Sequence, residues 1–336
     1  MAEITENTLV SVQGLAKYFP VGGSFFHQPD AFIHAVDRIN FDIPSGNSLA
    51  LVGESGCGKT TTGKLLTRLL DPTEGNILLR DTASDGGQMI DLAGLKGSEL
   101  KNFRRRVQMI FQDPYESLNP RMTIFDIMSE PLAVQNIGSL AEREERVVQL
   151  LEQVGLTPAT SFIFRYPHEL SGGQRQRVAI GRALVVEPTF IVADEPTSML
   201  DVSIRTGVMN LMIELGDKFG VSYLYITHDL AVARYTSQEI AVMYMGKIVE
   251  TGHTEEVLQN PLHPYTKALI SAVPVPDPAL KREPPDIKGS ISKPINPLPR
   301  CRFYDRCPIS AKVCEESHHP PLEDKGAGHQ VACYLV

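Results

Sequence analysis

The chain is 336 residues long, 42% hydrophobic and 21% charged, the balance of a globular protein with a sizeable core, and its length suits one large domain plus an appendage. A formal net charge of -8 leaves no basic excess for a phosphate backbone, which excludes a general nucleic-acid binder; Arg104-Arg105-Arg106 reads as a solvated helix face. No run approaches the ~20 apolar residues that cross a bilayer, and the acidic start Met1-Ala2-Glu3-Ile4-Thr5-Glu6 is unlike a secretory signal, so a cytosolic chain is expected, reaching any membrane through partners.

In chain order, residues 9–19 and 36–43 alternate apolar and polar side chains and predict edge strands of an antiparallel layer. Between them lies a glycine- and aromatic-bearing loop, Gly22-Gly23-Ser24-Phe25-Phe26-His27-Gln28-Pro29. Ser48-Leu49-Ala50-Leu51-Val52 reads as a buried strand, and Lys59 to Leu70 as a helix stopped by Asp71-Pro72-Thr73-Glu74-Gly75. Residues 76–92 suggest two short strands about an Asp85-Gly86-Gly87 turn. Helical periodicity from Leu140 to Val154 ends at Gly155, and another helix is expected from Gln174 to Val186. Strand-like runs at 189–193 and 221–227 flank a helical pattern at 203–217. This alternation predicts an α/β fold with a mostly parallel sheet covered by helices. Prolines then crowd 261–299 (Pro274, Pro276, Pro278, Pro284, Pro285, Pro294, Pro297 and Pro299), as in an extended linker, which places a boundary near 260–270. No internal repeat is present.

Gly53-Glu54-Ser55-Gly56-Cys57-Gly58-Lys59-Thr60, followed by Thr61, fits the pattern G-x-x-x-x-G-K-[ST] between a strand and a helix. Glycines let the backbone wrap phosphate oxygens and aim N–H groups at them, while the helix start and Lys59 add positive charge and Thr60 offers a hydroxyl to Mg²⁺. Phe190-Ile191-Val192-Ala193-Asp194-Glu195 is an apolar run ending in two carboxylates, costly in a buried strand unless they serve a ligand. Leu170-Ser171-Gly172-Gly173-Gln174 opens a helix. Taken alone, Ser171 there is an ordinary N-cap, although exposed N–H groups at a helix start also suit an anion.

These three motifs in this order resemble the ATP-binding cassette (ABC) ATPases, over about residues 9–255. The resemblance implies a RecA-like parallel-sheet core, an antiparallel β layer and an α-helical subdomain at about 115–185, all within residues 1–260. It implies that Asp194 holds Mg²⁺ and that Glu195 polarises the water attacking the γ-phosphate. Gln112, in Phe111-Gln112-Asp113-Pro114, matches the glutamine that senses magnesium and contacts the membrane subunit. His228, in Ile226-Thr227-His228-Asp229, matches the histidine that reaches the γ-phosphate. Asp201, in Ser198-Met199-Leu200-Asp201, matches the aspartate at the subunit contact, with Met199 departing from the usual small residue. Ser171, Gly172, Gly173 and Gln174 are expected to close over the ATP of a facing subunit. Phe19, with Tyr18 as the alternative, is expected to stack on adenine.

The tail narrows the branch. Asn260-Pro261-Leu262-His263-Pro264-Tyr265-Thr266-Lys267-Ala268-Leu269 and Asn119-Pro120-Arg121 resemble the second-ATPase type of oligopeptide, dipeptide and nickel importers. That implies a second ATPase subunit (a different chain or a copy of this one), two transmembrane permease subunits and an exported substrate-binding protein at the cytoplasmic face of the membrane. Nickel chelates and oligosaccharides remain open as substrates beside peptides. A soluble ABC ATPase outside transport, for instance in iron–sulfur assembly, is the rival reading. Cys301, Cys307, Cys314 and Cys333 crowd the last 36 residues of 261–336, and in a reducing cytosol such a set reads as metal or cluster ligands before disulfides. Resemblance to that branch favours a [4Fe–4S] cluster, with zinc as the alternative. Phe303, Tyr304, Pro308 and Tyr334 are expected to pack around it, while His318 and His319 are expected to be solvated.

Overall fold

The computed structural model describes residues 5–22, 30–81, 87–273, 287–289 and 293–336. The expected loop beyond Gly22, the Asp85-Gly86 part of the turn, and Pro274, Pro276, Pro278, Pro284 and Pro285 lie outside the described residues. Strands β1 (Thr8–Val21) and β2 (Ala31–Pro44) pair antiparallel, with Val10 opposite Ile43 and Phe19 opposite Ile33. Strand β3 (Ser48–Val52) runs through residues 53–58 into helix α1 (Lys59–Leu66). Strands β4 (Glu74–Arg80) and β5 (Met89–Asp91) complete a four-stranded sheet of order β2-β1-β4-β5. β1, expected at an edge, is therefore central: its second flank bonds to β4, Val12 against Ile77, and Leu9, Val10, Val12 and Leu15 are buried. α1 stops at Leu66, four residues short of the expected end. Arg68 there takes a left-handed φ of 52°, the N–H groups of Leu69 and Leu70 fold back onto the Lys64 carbonyl, and buried Arg68 pairs with Asp71 at 2.5 Å.

Helix α2 (Gly97–Arg106) leads to β6 (Val107–Ile110), and the chain then enters a helical layer: α3 (Pro114–Ser117), α4 (Ile124–Gln135), α5 (Leu140–Gln153) and α6 (Gly172–Leu184). Capping boxes start α4 (Thr123 with Asp126) and α5 (Ser139 with Glu142), satisfying N–H groups that a helix start leaves unpaired. Return to the sheet follows through β7 (Phe190–Asp194), α7 (Val202–Phe219), β8 (Ser222–Thr227), α8 (Leu230–Thr236), β9 (Glu239–Tyr244) and β10 (Lys247–His253). Strands β6, β7, β8, β3 and β9 are parallel neighbours, and β10 turns back antiparallel to β9. One buried cluster joins the helical layer to Ile191, Ala193, Tyr223 and Tyr225 on the sheet. Another joins the antiparallel sheet to Leu51, Val192, Leu224 and Ile226.

Helices α9 (Thr254–Gln259), α10 (Pro264–Ser271) and α11 (Lys312–Glu316) and short strands β11 (Glu323–Asp324) and β12 (Gln330–Val331) form the tail. β12 pairs with β10, Val331 opposite Glu250, so the main sheet reads β11-β12-β10-β9-β3-β8-β7-β6. The tail is thus built onto the cassette sheet. Phe303, 1% exposed, packs its ring against Tyr244, Tyr265 and His263 at centroid distances of 5.1, 5.5 and 5.6 Å, where it shares a core with Val52, Val242 and Val249. The same core takes in Cys307, with Cys301 packed against it, so Phe303 sits beside two of the tail cysteines as expected and also joins the tail to Tyr244 of the cassette. Tyr304 lies under Arg300 and donates to Glu315, and Tyr334 is exposed.

Candidate active site

The turn from β3 to α1 is tight enough to demand glycine at two places. A Cβ on Gly53 (φ 153°) would lie 2.2 Å from the Met243 carbonyl oxygen, and one on Gly58 (φ 116°) 2.1 Å from that of Ala35. Gly58 is the N-cap of α1 and supplies no side-chain acceptor, so the first-turn N–H groups are uncapped donors of the kind that bind phosphate. Lys59 is buried, and its Nζ donates to the carbonyls of Gly53 and Glu54 at 2.7 and 3.0 Å. Ser55 and Gly56 are exposed at the turn's crest, Thr61 is half-buried, and the Cys57 thiol is buried, which pushes its pKa up.

Thr60 Oγ1 donates to Asp194 Oδ1 at 3.2 Å. Asp194 ends buried β7, and burial raises its carboxyl pKa, with Glu195 adding to the rise and the Thr60 hydrogen bond opposing it. A divalent cation at this hydroxyl–carboxylate pair would relieve that cost, so the donors present suit magnesium. Glu195 has a left-handed φ of 45°, which turns the chain out of the sheet, and its N–H donates to the Ile226 carbonyl at 2.8 Å. Its two carboxylate oxygens are divided: Gln112 Nε2 donates to Oε2 at 3.1 Å, and His228 Nδ1 lies 2.9 Å from Oε1. Gln112, Glu195 and His228, singled out from three separate segments, meet at one point.

Ser171, Gly172, Gly173 and Gln174 stand apart from that point. They start α6 in a reciprocal box in which Gln174 N–H donates to Ser171 Oγ (3.3 Å) and Ser171 N–H to Gln174 Oε1 (3.0 Å). They rest on the start of α7, where a Cβ on Gly173 would meet Ile204 at 2.9 Å. Asp201 is the N-cap of α7 and is exposed, beside exposed Met199 and Val202. At the end of β1, the Tyr18 hydroxyl donates to Asp37 at 3.0 Å and its ring lies 4.2 Å from that of His34. Burial and the Asp37 carboxylate push Tyr18 up to about 12. Phe19 lies opposite Ile33 on β2, with the Lys17 ammonium 5.4 Å from its ring centre.

The four tail cysteines are free thiols, Cys307 and Cys314 buried and Cys301 and Cys333 half-buried. Cys301 N–H donates to the Cys314 carbonyl at 3.0 Å. Burial pushes the Cys301 thiol up to about 11, and Cys314, Cys333 and Cys307 each add to the rise, so the four lie within electrostatic reach of one another. Among the described residues, no group of three or more His, Cys, Asp or Glu is arranged to hold a metal ion. His319 departs from its expected solvation: burial pushes it down to about 3, and its Nδ1 accepts from Arg302 N–H at 3.3 Å.

Sequence reasoning missed the residues that fasten the tail to the site. Arg306 Nη1 and Nη2 reach Glu54 Oε2 and Oε1 at 2.7 and 3.0 Å, and Tyr265 Oη accepts from Glu54 N–H at 2.9 Å. Arg302 pairs with Asp37, which also faces Lys247 at 3.4 Å. Burial opposes ionisation of Asp37, yet Lys247 and Arg302 hold its carboxyl below the usual range. Fully buried Glu250 accepts from the Leu262 and His263 N–H groups and lies 2.7 Å from His329 Nε2. Arg306 is 252 positions from Glu54, and no local pattern announces such a pair.

Residues 36–198 match the family described as ABC transporter, and residues 249–314 the family described as oligopeptide/dipeptide transporter, C-terminal region. The oligopeptide transport ATP-binding protein AppF of Bacillus subtilis is 45% identical over 100% of this chain and 99% of its own length. The dipeptide transport ATP-binding protein DppF of Haemophilus influenzae is 45% identical over 99% of each. Among solved structures, the ATP-binding cassette MJ0796, a dimer in a post-hydrolysis state bound to ADP and Pi, is 30% identical. It superposes with a TM-score of 0.62 over 73% of this chain and 99% of its own. Fold and site together define an ABC-type ATPase, an enzyme that couples ATP hydrolysis to transport. The chain belongs to the family of ATP-binding subunits of the peptide/oligopeptide (peptide/nickel) ABC importers. Among the described residues no helix is long and apolar enough to cross a membrane.

Proposed function

We propose that two cassettes, this chain and a second ATPase subunit, sandwich MgATP and hydrolyse it to drive import of di- or oligopeptides through two permease subunits, supplied by an exported binding protein. The observation that carries the reading is the Glu195 carboxylate held between Gln112 and His228 beside the Thr60–Asp194 pair. Residues 53–61 would wrap the phosphates, with Lys59 exchanging loop carbonyls for phosphate oxygens. Thr60, Asp194 and Gln112 would hold Mg²⁺, which when bound neutralises charge on the phosphate oxygens. Glu195 would accept a proton from the attacking water, while His228 orients the carboxylate and reaches the γ-phosphate. Phe19 is the proposed adenine platform, because the Tyr18 ring already packs against that of His34 at 4.2 Å. Ser171, Gly172, Gly173 and Gln174, with Asp201 at the contact, would serve the facing subunit's ATP; the dimeric relative supports this pairing.

Peptide as cargo rests on the oligopeptide and dipeptide transport functions of the relatives and on the tail match. The subunit would sit at the cytoplasmic face of the membrane, held there by its permeases. Reconstitution with permeases and binding protein tests this: peptides should stimulate ATP hydrolysis. Stimulation by nickel chelates or oligosaccharides with none by peptides would reject the cargo.

Cys301, Cys307, Cys314 and Cys333 are proposed to hold one [4Fe–4S] cluster. Four soft thiols within mutual electrostatic reach are the donor set such a cluster takes. Anaerobic purification should yield about four iron atoms per chain. Stoichiometric zinc would assign the site to zinc, and no metal would end the proposal.

A further inference from the structure

We propose that Arg306 is a positioning residue for nucleotide binding: it neutralises Glu54 inside the phosphate loop and so makes the loop's grip on phosphates depend on the folded tail. The inference rests on the reading of residues 53–61 as the ATP site. Glu54 is the one acidic residue in the turn from Gly53 to Gly58, a place that must accept a polyanion. Its carboxylate is met at both oxygens by Arg306, at 2.7 and 3.0 Å, in the two-point geometry that gives a charged pair both strength and direction. The pair is largely shielded from water, with side-chain exposures of 9% for Arg306 and 22% for Glu54.

The rest of Glu54 is equally engaged. Its N–H donates to Tyr265 Oη, and its carbonyl accepts from Lys59 Nζ and from Cys57 N–H. Two of these partners, Tyr265 and Arg306, belong to the segment after residue 260. Arg306 is itself set by the tail core: its N–H donates to the Phe303 carbonyl at 3.0 Å, and its guanidinium lies 5.6 Å from the Tyr244 ring centre and 6.0 Å from that of Phe303. A tail that leaves the cassette takes Arg306 with it. What remains is a partly buried, unpaired carboxylate flanking the phosphates, a repulsion that grows with the charge of the nucleotide.

The test uses the full chain, titrated with MgATP, MgADP and AMP. Arg306→Ala should weaken MgATP binding on the order of tenfold, MgADP less, and AMP least. Adding Glu54→Gln to the same chain should restore most of the MgATP affinity, since the orphaned charge is then gone. Arg306→Lys, which keeps charge and stem but loses the two-point contact, should fall between. If the alanine variant does not fold, the lysine variant carries the test, read by its ATP-to-AMP affinity ratio. Unchanged MgATP affinity, a loss equal for all three nucleotides, or a loss undiminished by Glu54→Gln would overturn the proposal. A parent chain that binds no MgATP would overturn the ATP-site reading and this inference together.

Discussion

Glu195 Oε1 and His228 Nδ1 stand 2.9 Å apart although 33 positions separate them. The cause is topological: β7 and β8 are parallel neighbours in register, Asp194 opposite Ile226. Residues just past their ends therefore emerge at the same edge of the sheet. Gln112 arrives there from β6, on the far side of β7. Open parallel sheets place ligand chemistry beyond the carboxyl ends of their strands for this reason.

On the proposed reading Lys59 would face the phosphates before any reaction, so Lys59→Ala should lower MgATP affinity on the order of 10- to 100-fold. Equilibrium titration reads this directly. A variant with parent-like affinity and slowed turnover would place the lysine's action in the transition state alone.

Ser171→Arg alters an exposed helix start whose hydrogen bonds are internal to its own cap. MgATP binding by the same chain should be unchanged, while hydrolysis at the facing subunit's site should fall. Mixed assemblies, with a variant on one cassette only, separate the two sites. Loss of binding in the variant chain itself would contradict the head-to-tail arrangement.

Most of the cassette was legible because its signals are local. The phosphate loop, the acidic strand end and the Ser-Gly-Gly helix start each carry their spacing within a few residues, and their order along the chain did the rest. The central place of β1 was not legible, since its alternation of side chains is the same whether one flank is paired or two. Nor was the end of α1, which depends on Arg68 finding Asp71. The attachment of the tail was the largest omission. The place of Phe303 beside the cysteines was legible, and it shares a core with Cys307 and Cys301; its contact with Tyr244 was not, because only tertiary structure brings that ring to it. Proline-rich composition before it suggested separation where β12 continues the sheet.

Phe303→Ala should show how far the tail shares the cassette's stability. The ring is 1% exposed between two tyrosines, and emptying such a site costs roughly 3–5 kcal/mol. Thermal unfolding should shift down as one transition. A separate early transition for the tail, with the cassette unmoved, would mean that the two are not cooperative.

His263 gives the tail junction a pH dependence. Burial, with Lys267 adding, pushes it from 6.5 down to about 3, so the folded protein keeps it neutral, its Nδ1 accepting from Tyr265 N–H at 3.0 Å. Between those two values the unfolded chain binds a proton that the folded chain does not, so stability falls as pH drops below about 6.5 and is fully present above it. His263→Asn, which keeps a helix-cap acceptor, should flatten the fall in unfolding temperature from pH 7 to pH 5. Parallel curves for parent and variant would contradict this.

The most direct measurement on the central claim is ATP turnover and ATP retention by Glu195→Gln in the paired cassette. The substitution keeps the shape held by Gln112 and His228 and removes the charge proposed to accept the proton from water. Turnover should fall on the order of 10²- to 10⁴-fold while MgATP stays bound in a stable closed pair. Hydrolysis at a near-parent rate would show that the carboxylate between Gln112 and His228 is not the base.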